Sequence, residues 1–196
     1  MEDLGTSDGV RIERDGACLV VTLASPDNRN AQTPATWWRL AAVEDFVDAS
    51  VRVVLVRAEG RSFSAGLDRR MMTPDGVPGE PSILSLAAME DEQIDAFISQ
   101  AQAGFTWWSG SPAISIAVVQ GHAVGAGCQL ALACDLILAA DDAQFAMRET
   151  SLGLVPDLAG TSPLVERIGY QRALEMCATG RFIHSEEALR IGLVHS

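Results

Sequence analysis

From residue 121 to 130 the chain reads Gly-His-Ala-Val-Gly-Ala-Gly-Cys-Gln-Leu, and no other stretch limits the fold so tightly. It follows an apolar, β-branched run at 114–119 that reads as a buried strand, and it opens a helix expected over 125–134. A strand turning into a helix through small residues lets another molecule approach the backbone, and the unpaired N–H groups of the first helical turn can stabilise negative charge. No Lys-Ser or Lys-Thr follows, so the segment is not a phosphate-binding P-loop. Leu130 stands where a dinucleotide fingerprint needs its third small residue for helix packing, which makes that reading poor. A tight strand-to-helix turn with no ligand explains this segment, taken alone, equally well.

The flanking chain supports an α/β or α+β domain. Residues 10–14 and 17–23 surround Asp15-Gly16, a two-residue hairpin signal, and a loop rich in Ser, Pro, Asp and Asn covers 25–30. Residues 34–49 carry apolar positions at helical spacing behind Pro34, and 51–58 is a near-continuous Val and Leu strand. Residues 74–81 hold three prolines and two glycines, a flexible excursion but not a domain linker, because periodic structure resumes on both sides. Further helices are expected at 91–108, 162–168, 171–179 and 185–191, the last with Ser185 as N-cap, and a further strand at 136–140. With no repeat and no low-complexity tract, residues 1–196 read as a single domain with enough apolar material, 48% of the chain, for a substantial core.

Charge and cysteine usage narrow the partners. The formal charge of −12, without any Lys/Arg block, argues against nucleic acid and anionic membrane. The densest basic cluster is Arg57 and Arg61 with Arg69 and Arg70, ordinary surface unless it holds the phosphates of a small anion. No apolar run reaches membrane-spanning length and the acidic N-terminus lacks the character of a signal peptide. Four widely spaced cysteines read as buried free thiols, which points to a reducing, cytoplasmic compartment. Trp37, Trp38, Trp107 and Trp108 read as core and interface aromatics.

A second small-residue turn, Phe63-Ser-Ala-Gly-Leu-Asp68, also follows a strand. Ser62 and Ser64 invite a serine-hydrolase reading, but G-x-S-x-G is absent and the sequence gives no partner to His122, His184 or His195. Two turns that each present backbone amides would instead make a two-donor oxyanion hole, if the fold brings them together.

Four blocks, in order, resemble the enoyl-CoA hydratase and isomerase (crotonase-like) family over nearly the whole chain. Asn28-Arg29-Asn30-Ala31 is similar to "R-N-A-L", residues 60–68 to "G-x-x-F-[SC]-A-G-x-D", and residues 121–135 to "G-x-A-x-G-x-G-x-x-L-x-x-x-C-D". Residues 145–161 are similar to "F-x-x-P-E-x-x-x-G-x-x-P-x-x-G-G-T", with Arg148 in place of its proline and Ala159 in place of one glycine. The resemblance implies a spiral of ββα units acting on an acyl-CoA thioester, with coenzyme A as part of the substrate and no separate cofactor or metal. It assigns the oxyanion donors to the N–H groups of Leu67 and Ala126, in turns built on Gly66-Asp68 and Gly125. It further implies that the backbone at Ala65 contacts the adenine and that Arg29 and Arg70 approach the phosphates.

Hydratases of that family use two glutamates. This chain has Gln129 at the first position and Glu149 at the second, and a Gln can hold a water or a carbonyl but cannot exchange a proton near neutral pH. Double-bond isomerisation, which needs one base, is therefore favoured over hydration. Asp157 resembles the acid that pairs with the glutamate in dienoyl-CoA isomerases; an Asx turn or N-cap explains it equally well. Relatives usually continue past residues 191–194 into C-terminal helices that close the acyl pocket and help build trimers or hexamers. A homo-oligomer is expected, with a non-catalytic acyl-CoA-binding or assembly subunit as the competing class and a serine hydrolase a distant third.

Overall fold

The computed structural model describes residues 1–86 and 88–196. Three antiparallel strands open the chain, β1 (Glu2–Ser7), β2 (Val10–Asp15) and β3 (Cys18–Leu23), and from β3 onward it winds as a spiral. The first turn is β3 and helix α1 (Pro34–Ala41); the second is β4 (Val53–Ala58) with α2 (Ile83–Leu86) and α3 (Asp91–Thr106). The third is β5 (Ile114–Val119), β6 (His122–Val124) and α4 (Ala126–Ala133), and the fourth is β7 (Leu136–Ala139), β8 (Gln144–Ala146) and α5 (Thr161–Ile168). Helix α6 (Tyr170–Thr179), strand β9 (Ile183–His184) and helix α7 (Ser185–Ile191) complete it.

Because β3, β4, β5 and β7 pair in parallel, each connection must cross over, and the helices make those crossings. The large sheet runs β1-β2-β3-β4-β5-β7 and a small one β6-β8-β9. Single bridges from Gln32 to Leu67 and from Ser64 to Ala123 prolong the small sheet's pattern into the first two turns of the spiral. Each turn thus gives one strand to the large sheet, one short extended piece to a second layer, and helical chain.

Between the layers lie Phe63, Leu130, Ile137 and Phe145, all at most 1% exposed, each contributing about 1.5–3 kcal/mol by leaving water. Trp108 is buried and stacks on Trp107, while Trp37 meets Phe105 edge-on where α1 crosses α3. Gly104 permits that crossing, since a Cβ there would lie 2.5 Å from the Trp37 carbonyl oxygen. The four cysteines are free thiols, Cys128 and Cys134 buried as expected but Cys18 and Cys177 only partly covered.

Several boundaries differ from expectation. Asp15 pairs with Cys18, so the hairpin turn is Gly16-Ala17, not Asp15-Gly16; Gly16, at φ +60°, takes the first central position that a II′ turn reserves for glycine. The helix expected over 34–49 ends at Ala41 and tightens into a 3-10 turn, Ala42–Phe46. Asp48 then accepts from the Ser50 N–H at 2.8 Å, a local bond that competes with helical pairing. The 91–108 helix likewise ends in a 3-10 turn, Trp107–Gly110. Strand β5 is not buried on both faces, since Ile114 is 54% exposed while Ser115, Ala117 and Val119 are buried. His184, not Ser185, caps α7; the Ser185 hydroxyl donates to the Asp141 carbonyl instead. The excursion at 74–81 folds back, with Glu80 accepting from the Ala35 N–H at 2.9 Å in the first turn of α1, where negative charge is favoured.

Candidate active site

Ser64 anchors the first small-residue turn. It is fully buried; its hydroxyl donates to the Asn30 carbonyl (2.7 Å) and accepts from the Gln32 amide (3.0 Å) and the Gly66 N–H (3.1 Å). Asn30 in turn donates to the carbonyls of Glu59 and Ser62, and the Gln32 side-chain oxygen accepts from the Trp37 indole. The loop after β3 is thereby stitched to the loop after β4. A hydroxyl so committed is no nucleophile, and the hydroxyl of Ser62, 3% exposed, meets His122 at 3.4 Å with no carboxylate bonded to that imidazole among the described residues. Neither serine thus belongs to a Ser-His-carboxylate triad among the described residues.

The second turn lies directly against the first. The Ser64 N–H donates to the His122 carbonyl at 2.9 Å, and the Val124 N–H donates to the Ser64 carbonyl at 3.0 Å. Gly66 has φ +84°, and a Cβ on it would stand 2.4 Å from the Val124 oxygen and 3.4 Å from the Ala126 nitrogen. Gly125, at φ +52° and ψ −121°, adopts a backbone that only glycine enters readily and delivers the chain to the N-terminus of α4. Among the described residues neither the Leu67 N–H nor the Ala126 N–H has a partner, and both residues line a cleft of about 810 Å³.

Glu149 faces the same cleft from the 3-10 turn after β8. It is 8% exposed, one carboxylate oxygen accepts from the Gln129 amide at 2.7 Å, and the other has no partner among the described residues. A Cβ on Gly125 would lie 3.3 Å from that carboxylate, so the glycine also makes room for it. Burial pushes the Glu149 pKa above the ordinary carboxylate value; the Gln129 hydrogen bond opposes the shift and the charge of Asp157 adds to it.

Gln129 does not itself reach the cleft. Its side-chain oxygen accepts from the N–H groups of Leu158 (3.0 Å) and Gly160 (3.1 Å), so one amide clamps both the 158–160 loop and Glu149. The sequence offers it a water or a carbonyl; the fold gives it backbone and a carboxylate. Asp157 also lies outside the cleft lining, exposed on its loop, with protein packed beneath its carboxyl that raises its pKa by partial desolvation. Its side chain makes no turn or cap hydrogen bond among the described residues, and Gly160, not Asp157, precedes α5 as N-cap.

Arg29, Ala65, Asp68 and Arg70 line the opposing loops, tied by the Ala65 N–H to the Arg29 carbonyl at 2.9 Å. Asp68 is buried, accepts from the Arg70 backbone N–H, and forks with the Arg70 guanidinium, which holds its carboxyl below the ordinary range. Arg70 is thus oriented by Asp68 while still largely in solvent. Arg57 belongs elsewhere, bonded to Thr22 on β3, so the basic cluster of the sequence is split by the fold. Arg148, His122 and Phe182 also line the cleft, unassigned by sequence reasoning. Arg148 alone left a signal, as the departure from a proline.

Two free backbone amides facing a buried, partly bonded carboxyl define a site that can receive charge on a carbonyl oxygen while one group exchanges a proton. The profile of the enoyl-CoA hydratase/isomerase family matches residues 13–196, and the chain belongs to that family. It is 31% identical over 194 residues, 96% of this chain and 68% of the relative, to a Mycobacterium bovis protein assigned as an enoyl-CoA hydratase. It is 35% identical to an Escherichia coli carnitinyl-CoA dehydratase over 96% of this chain and 67% of the relative. A Thermobifida fusca protein assigned as an enoyl-CoA hydratase, solved with acetoacetyl-CoA, superposes with a TM-score of 0.91 at 42% identity, covering 96% of this chain and 72% of that one. The fold is that of the crotonase-like proteins. Among the described residues no helix is long and apolar enough to cross a membrane, and no cluster of three or more His, Cys, Asp or Glu could hold a metal ion.

Proposed function

We propose that this chain is an enzyme that enolises acyl-CoA thioesters, with double-bond isomerisation favoured over hydration. The observation that carries this reading is the pair of unpartnered N–H groups on Leu67 and Ala126 in one cleft with the half-bonded carboxyl of Glu149. The thioester carbonyl sits between the two amides, and Glu149 removes a proton from C2 of a 3-enoyl chain. The electron pair moves toward the carbonyl oxygen, where fixed dipoles need no reorganisation to receive it. Glu149 returns its proton at C4, leaving the 2-enoyl thioester. The raised pKa suits a group that must both take and give a proton.

Hydration needs a water activated as well as a proton delivered to carbon. Gln129 supplies neither, since its amide is spent on Glu149 and on the 158–160 loop. The acetoacetyl-CoA complex of the Thermobifida protein supports an acyl-CoA ligand. In this reading Ala65 lies beside the adenine and Arg29 and Arg70 reach toward the phosphates. Parallel incubation with 2-enoyl, 3-enoyl and dienoyl thioesters, followed by product analysis, tests the assignment. Conversion of the 3-enoyl to the 2-enoyl substrate is expected. Tight binding without conversion of any of them would instead identify a non-catalytic acyl-CoA-binding subunit.

A further inference from the structure

Building on the acyl-CoA reading, we infer that Arg148 selects acyl groups that end in a carboxylate. The residue precedes Glu149 in the chain, and the two line the same cleft. The Arg148 guanidinium makes no ion pair or hydrogen bond among the described residues, as is also true of Arg29 and Arg69 on the same cleft, whereas Arg70 there is held by Asp68. Arg148 is nevertheless oriented: its guanidinium lies 5.5 Å from the centre of the Phe182 ring, and Phe182 packs edge-on against His122. Stacking on an aromatic face leaves the N–H fork of an arginine free to bind a planar anion in two-point fashion.

The small sheet fixes this arrangement. His122 begins β6, Arg148 follows β8, Phe182 precedes β9, and β8 pairs with both of the other strands. Arg29 and Arg70 stand instead on the loops after β3 and β4, where the proposed phosphate contacts lie. Of the arginines that line the cleft, Arg148 is therefore the one on the same segment as Glu149, and in a protein of charge −12 such a cation concentrates an anion that the rest of the surface repels.

The test measures binding and turnover of a six-carbon enoyl thioester and of its counterpart with a terminal carboxylate, each as the coenzyme A and the pantetheine thioester. Wild-type protein is expected to favour the carboxylated acyl group by roughly 10-fold or more in affinity and in kcat/KM, in both thioester series. Arg148→Gln should erase the preference between the two acyl groups, and Arg148→Lys should keep part of it. Equal affinity of wild-type protein for both acyl groups overturns the inference and leaves the acyl-CoA reading intact. An Arg148→Gln effect seen with coenzyme A thioesters and absent with pantetheine thioesters also overturns it, by assigning Arg148 to a phosphate. Failure of every thioester to bind would defeat the functional reading itself. The wild-type comparison needs no variant, so an unstable variant does not leave the question open.

Discussion

The Gln129 amide donates to one oxygen of Glu149 at 2.7 Å and leaves the other oxygen of that buried carboxyl without a partner. Because the Gln129 oxygen is held at the same time by Leu158 and Gly160, the direction of the donation is fixed, and the second oxygen of Glu149 is left buried without a partner. Removing this bond should push the Glu149 pKa further up. Gln129→Leu is therefore expected to move the acidic limb of the kcat/KM profile to higher pH and to destabilise the protein by roughly 1–3 kcal/mol, since the Leu158 and Gly160 N–H groups lose their acceptor. A pH-rate series alongside denaturant unfolding reads both effects, and an unmoved acidic limb would separate Gln129 from the base.

Gln129→Glu is expected to keep the acceptor for the loop and to add a second carboxyl beside Glu149. Two adjacent carboxyl groups share a proton, which permits one to activate water while the other protonates carbon. Hydration of a 2-enoyl thioester should rise relative to isomerisation, by a modest factor because no surrounding shell has been shaped for the new group. The ratio of 3-hydroxyacyl to 2-enoyl product measures it, and a ratio lower than that of the wild-type protein would contradict the proton count.

Glu149→Gln should raise stability near neutral pH. The folded pKa lies above the ordinary value of 4.5, so the folded state binds the proton more tightly than the unfolded chain does, and the charged carboxyl weakens folding as pH climbs above that value. Below it both states are protonated and the two proteins should be equally stable. Chemical denaturation at pH 3.5 and pH 7.5 distinguishes this from a packing effect, which would appear at both.

Ser64→Ala is expected to cost about 1–3 kcal/mol of stability, because the buried Gln32 amide and the Gly66 N–H lose their acceptor. Turnover should fall through displacement of the Leu67 amide, with thioester binding weakened far less. Loss of turnover to the uncatalysed rate in a fully folded variant would revive a chemical role for this hydroxyl.

Much of this site was legible because glycine and carboxyl chemistry leave local marks. Gly66 and Gly125 announce backbone approach, and the apolar β4 and β5 runs place a strand before each turn. What joins the turns is not local: the Ser64 bridge to Ala123 spans residues far apart in sequence, and no spacing rule predicts it. Strands β6, β8 and β9 are two or three residues long, too short for a period to show, so the small sheet and its Arg148-Phe182-His122 wall stayed hidden. The Gln129 role was read from what an amide cannot do; what it does depends on the 158–160 loop folding back over α4.

Enolisation can be observed without any double bond moving. A saturated acyl-CoA incubated in deuterium oxide should exchange its C2 hydrogens in the presence of the protein, followed by proton NMR. The account predicts exchange by wild-type protein and a fall of at least about 100-fold in Glu149→Gln. A fall of at least about 100-fold is expected in Ala126→Pro, where proline suits the first position of α4, the donor N–H is lost and the ring carbon takes its place beside the carbonyl oxygen. Undiminished exchange in either folded variant, or no exchange of a bound thioester by the wild-type protein, would contradict it.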